Sequence, residues 1–372
     1  MKFKTFLLAI FILLVSACAP QERTATSPVA GKTVEEPKDE LIIKDALNRE
    51  IKFSRIPKRV LVVGKSLFTI ADALYTFPEA ATRIIALGDM GQATKTDWFP
   101  LLDAKYSDKL LLASDASVEQ IAAMKPQVVL MKSYLAESLG KSIEAINIPV
   151  VYLDFETPEQ YQRDLRIIGY LFQNENRANE LITFYQQHID QVNQIISKDN
   201  ANNKPKVLLL YYSDKDGQVA FNVPPMNWIQ TIMVEQSGGI PIWKGANPGK
   251  GWTKVSLEQI ASWDADMVFI IAYFNNVNEV VAKLKTNDQW KNIRAVKEGK
   301  IYGFVSDFFS WDQPDTRWIL GQLWLAQKIH PNLFQDMDIK KEILSFYNTL
   351  YNLDNKQVNE HILPLLKGDI EN

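Results

Sequence analysis

Ser117-Val118-Glu119-Gln120-Ile121-Ala122, with the apolar run Val128-Val129-Leu130-Met131 behind it, returns 139 residues later. The second copy is Ser256-Leu257-Glu258-Gln259-Ile260-Ala261, followed by Met267-Val268-Phe269-Ile270. The offset holds throughout without a gap. Each copy reads as a short helix feeding a buried strand. A serine with a glutamine three residues on is a capping box, and a short apolar run without alternation suits a strand covered on both faces. A repeat at this distance predicts two similar α/β lobes, each presenting one glutamate at the same place. Two-lobed proteins usually bind something between their lobes.

The pattern continues outward from the first copy. Leu41 to Phe53 alternates around Asn48-Arg49, as a small hairpin does. Strands are expected at Arg59–Val63, Ile84–Leu87, Leu110–Ala113 and Val150–Leu153, with helices at Ser66–Leu74 and Ser138–Ile146. Strands alternating with helices predict a mainly parallel sheet with helices on both faces. Thr157-Pro158-Glu159-Gln160 then opens the longest periodic stretch, with proline at the first helical position. Asn174-Glu175-Asn176 interrupts it, so two successive helices are expected, the second long. After Pro205 the βα pattern restarts with Val207–Tyr212. A helix at Trp228–Glu235 stops at Gly238-Gly239, and Ile301–Val305 is a late strand. Helices are expected near 313–330, 339–350 and 355–366. Whether the last two pack on the second lobe or reach back to the first stays open.

The ends and the composition bound the function. Lys2 and Lys4 precede the ten-residue apolar run Phe6–Val15, too short to span a bilayer comfortably. Val15-Ser16-Ala17-Cys18 places small residues before the one cysteine of the chain. This is the bacterial lipoprotein form of a secretory signal, so residues 1–17 are expected to be removed and Cys18 to carry lipid. With a single cysteine no disulfide can form within the monomer. Residues 18–40 are polar and read as a disordered tether. About 330 residues remain, enough for two domains. The expected boundaries are 41–174 for the first lobe, 175–203 for a linking helix and 204–372 for the second lobe. Without Lys2 and Lys4 the chain has 39 basic against 44 acidic residues, which argues against a nucleic-acid partner.

Several of these pieces together resemble the substrate-binding proteins of bacterial ABC importers for iron–siderophore complexes and cobalamin. They are Ile56-Pro57-Lys58-Arg59-Val60, the two Ser-x-Glu-Gln-Ile-Ala copies, Gly238-Gly239, and Trp311-Asp312-Gln313-Pro314-Asp315-Thr316-Arg317-Trp318. The resemblance covers about residues 41 to 366. It implies two lobes joined by one long helix that resists wide hinge motion. It also implies a permease dimer with cytoplasmic ATPase subunits as partner, a monomeric receptor held to the membrane by its lipid, and no catalytic activity. In such relatives one glutamate per lobe docks on the permease, and Glu119 and Glu258 match those positions. The helix dipole also favours an acid in the first turn, which competes with the docking role.

In doubly wound sheets, ligands sit beyond the carboxyl ends of the strands. The residues expected there are Lys65, Ser66, Asp89 with Met90, Lys132, Tyr134 and Asp154 to Glu156 in the first lobe. In the second they are Tyr212, Asn222, Trp228, Trp252, Tyr273, Phe308 and Trp311. Aromatic faces suit a large or flat chelate, and lysines suit its negative charge. The expected cargo is a ferric siderophore or related iron chelate, with no intrinsic cofactor. Cobalamin, haem and an oxyanion such as molybdate are alternatives on the same scaffold. A bare metal ion fits poorly, because the three histidines (His188, His330 and His361) all fall in expected helices. Tyr211-Tyr212 does not make an iron site, since adjacent strand residues point to opposite faces. Val63-Gly64-Lys65-Ser66 mimics the end of a phosphate loop but has Arg59 where that motif needs glycine. An exported α/β hydrolase would need a Gly-x-Ser-x-Gly or a well-placed histidine, and neither is found. An adhesion lipoprotein would need no interlobe pocket.

Overall fold

The computed structural model describes residues 40–89, 97–113, 115–198 and 204–370. The leader, Cys18, the tether to residue 39 and Met90 lie outside the described residues.

An antiparallel hairpin, β1 (Leu41–Lys44) and β2 (Glu50–Phe53), precedes the first lobe. That lobe is a five-stranded parallel sheet of β3 (Val60–Val62), β4 (Ile84–Gly88), β5 (Leu110–Leu112), β6 (Val128–Lys132) and β7 (Val150–Leu153). Its order is β5-β4-β3-β6-β7, so the chain reverses direction across the sheet between β3 and β6. The second lobe has β8 (Lys206–Ser213), β9 (Ala220–Val223), β10 (Ile240–Pro241), β11 (Thr253–Val255), β12 (Met267–Ile271) and β13 (Ile301–Gly303). Its order is β11-β9-β8-β12-β13, with β10 beside the start of β8. Here β9 and β11 run antiparallel, while β10, β12 and β13 keep the parallel pattern. Strands β9 and β11 and a helix at Val277–Thr286 were not expected. The helix had a legible signal: Asn276 as cap and Val277, Val280, Val281 and Leu284 on one buried face.

The repeat is built the same way twice. Ser117 and Ser256 each close a complete capping box with Gln120 and Gln259. Both helices end in a left-handed residue, Lys125 at φ 51° and Asp264 at φ 47°, again 139 apart. Arg59 donates to the Met124 and Lys125 carbonyls at one helix end, and Arg294 to the Asp264 carbonyl at the other. The side chains of Gln127 and Asp266, one repeat apart, accept backbone N–H groups of Lys58, just before β3, and of Lys206, which opens β8. Accordingly β6 lies between β3 and β7, and β12 between β8 and β13.

Helices at Pro158–Phe172 and Glu175–Ile196 connect the lobes. The second, of 22 residues, is about 33 Å long. At the first, Thr157 accepts from the Gln160 N–H as expected. The Gln160 side chain accepts from Glu156 instead of Thr157, so the box is only half formed.

The C-terminal segment ties the lobes together. The expected helix near 313–330 runs only over Trp318–Ile329. The residues before it cannot be helical because they enter the lobe junction. Arg317, fully buried, is 3.0 Å from Asp72 of lobe one and 2.8 Å from Asp307. Its guanidinium lies over the Trp98 and Phe309 rings at 4.5 and 4.9 Å. Asp72 also accepts from Trp98, Thr316 and Tyr351. Burial pushes the Asp315 carboxyl well up, while the neighbouring Arg317 charge opposes that shift. The helix at Ile339–Tyr351 therefore does reach back to lobe one, through Tyr351 on Asp72 and through both Tyr347 and Tyr351 against Trp98. The residues after it return to lobe two, where Lys367 pairs with Ser306.

Candidate functional site

The carboxyl edges of the two sheets meet. Phe68, just beyond β3, stacks on Phe309, beyond β13, at 5.5 Å, and Trp98 meets Phe308 at 5.3 Å. Loops flanking this seam carry most of the expected residues.

The lobe-one wall is polar and centres on the reversal between β3 and β6. Gly64 has φ +101°, and a Cβ there would sit 2.4 Å from Leu135. Ser66 is also left-handed at φ 56°, a conformation that costs a residue with a side chain. This tight turn presents Lys65 and Ser66 to solvent. Tyr134, 58% exposed, donates its hydroxyl to the Lys65 carbonyl. Lys132 differs from expectation: it is 1% exposed, held by Glu156 at 2.7 Å and by the Asp154 carbonyl. Asp154 also takes Ser133 and Arg163. Asp89 is exposed at the end of β4, its N–H donating to Leu112.

The lobe-two wall is aromatic. Tyr211, Trp252 and Tyr273 pack together with ring centroids 4.7–6.3 Å apart, and Trp228 meets Trp252 edge-on at 5.7 Å. All four are half-buried, and Phe274 beside them is 72% exposed. Asn222 pairs with Tyr211 in the β8–β9 ladder and donates to its carbonyl. Tyr212 stands apart, against Phe221, because neighbouring strand residues alternate faces. Trp311 is fully buried, its N–H on Asp307, and Gly321 of the next helix lies against its carbonyl. It belongs to the junction and not to the wall. Phe308 is half-buried against Trp98 of the other lobe.

Behind this wall sits Asp312, a residue whose role the sequence did not reveal. It is fully buried and accepts from Tyr273 at 2.6 Å, Ser310 at 2.5 Å and Gln230 at 3.2 Å. The Tyr273 hydroxyl is thus committed, and the wall offers ring faces. Burial pushes the Asp312 carboxyl up to about 6. An unfolded aspartate titrates near 3.9, so the folded chain holds the extra proton between about pH 4 and 6. This carboxyl therefore costs stability as pH rises through that window, on the order of 2–3 kcal/mol in total. Urea unfolding of Asp312→Asn should show a gain over the parent chain at pH 7 that shrinks at pH 4. An equal difference at both pH values would contradict the assignment.

The histidines do not converge. His188 contacts Phe184 and Glu342, His330 ends the Trp318–Ile329 helix, and His361 is exposed on a short helix. Among the described residues no group of three or more His, Cys, Asp or Glu could hold a metal ion. Glu119 and Glu258 are both exposed, and the same bonds to serine hydroxyl and backbone hold each carboxyl below its usual range.

Two α/β lobes joined through a long helix, with a polar and an aromatic wall at their joined carboxyl edges, define a bilobal solute-binding protein. Residues 75–307 match the family described as periplasmic binding protein, and the chain belongs to it. The molybdate-binding protein MolA of Haemophilus influenzae is 23% identical over 348 residues, 86% of this chain and 93% of its own. The Fe(3+)-citrate-binding protein YfmC of Bacillus subtilis is 24% identical, covering 79% of this chain and 86% of its own. A periplasmic solute-binding protein from Veillonella parvula superimposes with a TM-score of 0.70 at 23% identity, over 87% of this chain and 97% of its own. The molybdate-bound structure of MolA gives 0.68 at 20% identity, over 84% and 98%.

Proposed function

We propose that this chain is the exported, lipid-anchored receptor of an ABC importer, and that its cargo is an anionic iron chelate held between the lobes. The observation that carries this is the pairing of unlike walls: lysine, serine and tyrosine on one lobe, four half-buried aromatic rings on the other. Ring faces bind the flat or apolar parts of a chelator, while lysines meet its negative charge. The chelator supplies the iron's ligands, in keeping with a wall whose Tyr273 hydroxyl is already committed to Asp312. YfmC is named for a cargo of this class. A bare oxyanion is the second reading, favoured by the similarity to MolA and by the lysines of lobe one. Cys18 supplies the anchor, and Glu119 and Glu258 supply the contacts with the permease.

A melting-temperature screen of ferric siderophores, ferric citrate, cobalamin, haem and molybdate tests the cargo. One or more ferric chelates should raise the melting temperature, as binding to the folded state must. Trp252→Ala should weaken that chelate roughly tenfold to a hundredfold by titration calorimetry, given the area one tryptophan covers. A screen in which no ferric chelate shifts the transition would overturn the cargo assignment.

A further inference from the structure

The repeat departs from itself at one buried position. Val128-Val129-Leu130-Met131-Lys132 and Met267-Val268-Phe269-Ile270-Ile271 are the two inner strands, residue for residue. Both are buried along their whole length, and Lys132 lies where the sister lobe has Ile271 at 0% exposure. The fold therefore accepts an aliphatic side chain here. A buried ammonium is unfavourable unless it is paired, so packing does not account for the lysine. The partner position differs in its use as well: in the ladder register Glu156 of lobe one matches Asp307 of lobe two, which pairs with the buried Arg317 instead.

The pair is also unequal. The Lys132 side chain is 1% exposed, but that of Glu156 is 37% exposed. Glu156, partly exposed, can swing toward water at the cost of this one ion pair, whereas Lys132 is enclosed and held also by the Asp154 carbonyl. Both stand at the carboxyl edge beside the reversal point. Burial, with a smaller contribution from the Glu156 charge, pushes the Tyr134 hydroxyl up, and Tyr134 in turn touches Lys65.

We infer that Lys132 is an anion-binding residue of the cleft and that Glu156 is its internal placeholder. An acidic oxygen group of the cargo, either a carboxylate or a tetrahedral oxyanion, displaces the Glu156 carboxylate and takes over the ammonium. Glu156 thereby sets a threshold that weakly held anions fail to cross. This rests on the reading of the cleft as the cargo site.

Sodium molybdate and ferric citrate are the probes, with Kd measured by calorimetry at low salt. Glu156→Gln keeps the shape and removes the competing charge. It should bind at least one probe tenfold or more tightly than the parent chain, and adding Lys132→Met should abolish the gain. Glu156→Asp, whose shorter arm draws the carboxylate back, should give a smaller gain and guards against misfolding of the glutamine variant. Unchanged affinity for both probes in both variants would overturn the inference, as would a gain that survives Lys132→Met. Failure of the iron-chelate screen on the parent chain would count against the cargo class alone. The variant-to-parent ratio decides the role of Glu156.

Discussion

Arg317→Met should destabilise the folded chain by about 3–5 kcal/mol, the cost of stripping the partner from buried charges. That is a large share of a total stability of about 5–15 kcal/mol. Arg317 is fully buried between Asp72 of the first lobe and Asp307 of the second. Without it both carboxylates stay in the junction with hydrogen bonds but no countercharge. Their hydroxyl, indole and backbone donors disperse the charge only in part. Methionine fills much of the volume and still packs on Trp98 and Phe309, which isolates the charge from the packing. Adding Asp72→Asn should recover part of the loss, because one of the two unpaired carboxylates is then gone. Urea unfolding of the parent, single and double variants measures this. A change under about 1 kcal/mol in Arg317→Met would mean that the junction does not depend on its ion pairs. The same contacts limit how far the lobes can part, since Asp72 is bonded from across the junction on both of its oxygens.

Glu119→Arg with Glu258→Arg should abolish cargo uptake by cells while leaving cargo affinity within about twofold. The two carboxylates are exposed, sit at matching places in the two lobes, and touch no cleft residue. The capping boxes are made by Ser117 with Gln120 and by Ser256 with Gln259, so both helix starts survive the change. Losing an acid near each helix start costs only a few tenths of a kcal/mol to about 1. In the proposed docking role these acids meet complementary charge on the permease, and reversing them there would cost more, since like charges at an interface repel. Radiolabelled iron-chelate uptake is measured beside calorimetric affinity. Full uptake by the double variant would remove these residues from the docking surface. Lost affinity would assign them to the fold or the cleft.

How much of this was legible before the fold was known follows from which residues are constrained locally. The capping serines and glutamines, the left-handed residues after each helix and the short apolar strands obey rules within a few positions of chain. The repeat therefore predicted two lobes, and the register of β6 and β12 agrees. The aromatic wall was mostly legible too, because Trp228, Trp252 and Tyr273 fall just past strand or turn signals. The errors share one cause. Trp311 was expected on the wall but is buried in the junction, and Lys132, the last residue of β6, is buried against Glu156 where an exposed lysine was expected. The Trp311–Trp318 segment has two aspartates and one arginine between tryptophans, a composition too charged for a core and too aromatic for a surface loop. That composition is the sign in the sequence of a buried ionic junction, at a place where periodicity alone predicts a helix start. Tyr211, not Tyr212, joins the wall because a one-residue choice of face depends on the register of β8 against β9. Asp312 was invisible for a similar reason: its partners, Gln230 and Tyr273, lie 82 and 39 residues away.

The central claim is that the cargo is an iron chelate lodged between the two walls with its iron already saturated by the chelator. An iron-edge anomalous difference map of crystals grown with the chelate selected by the melting screen tests it most directly. The account predicts one strong peak at the seam of the carboxyl edges, flanked by Trp252 and Tyr273 on one side and Lys65 and Tyr134 on the other, with no protein atom within bonding distance of the iron. A peak ligated by protein side chains, or one lying away from both walls, would contradict it.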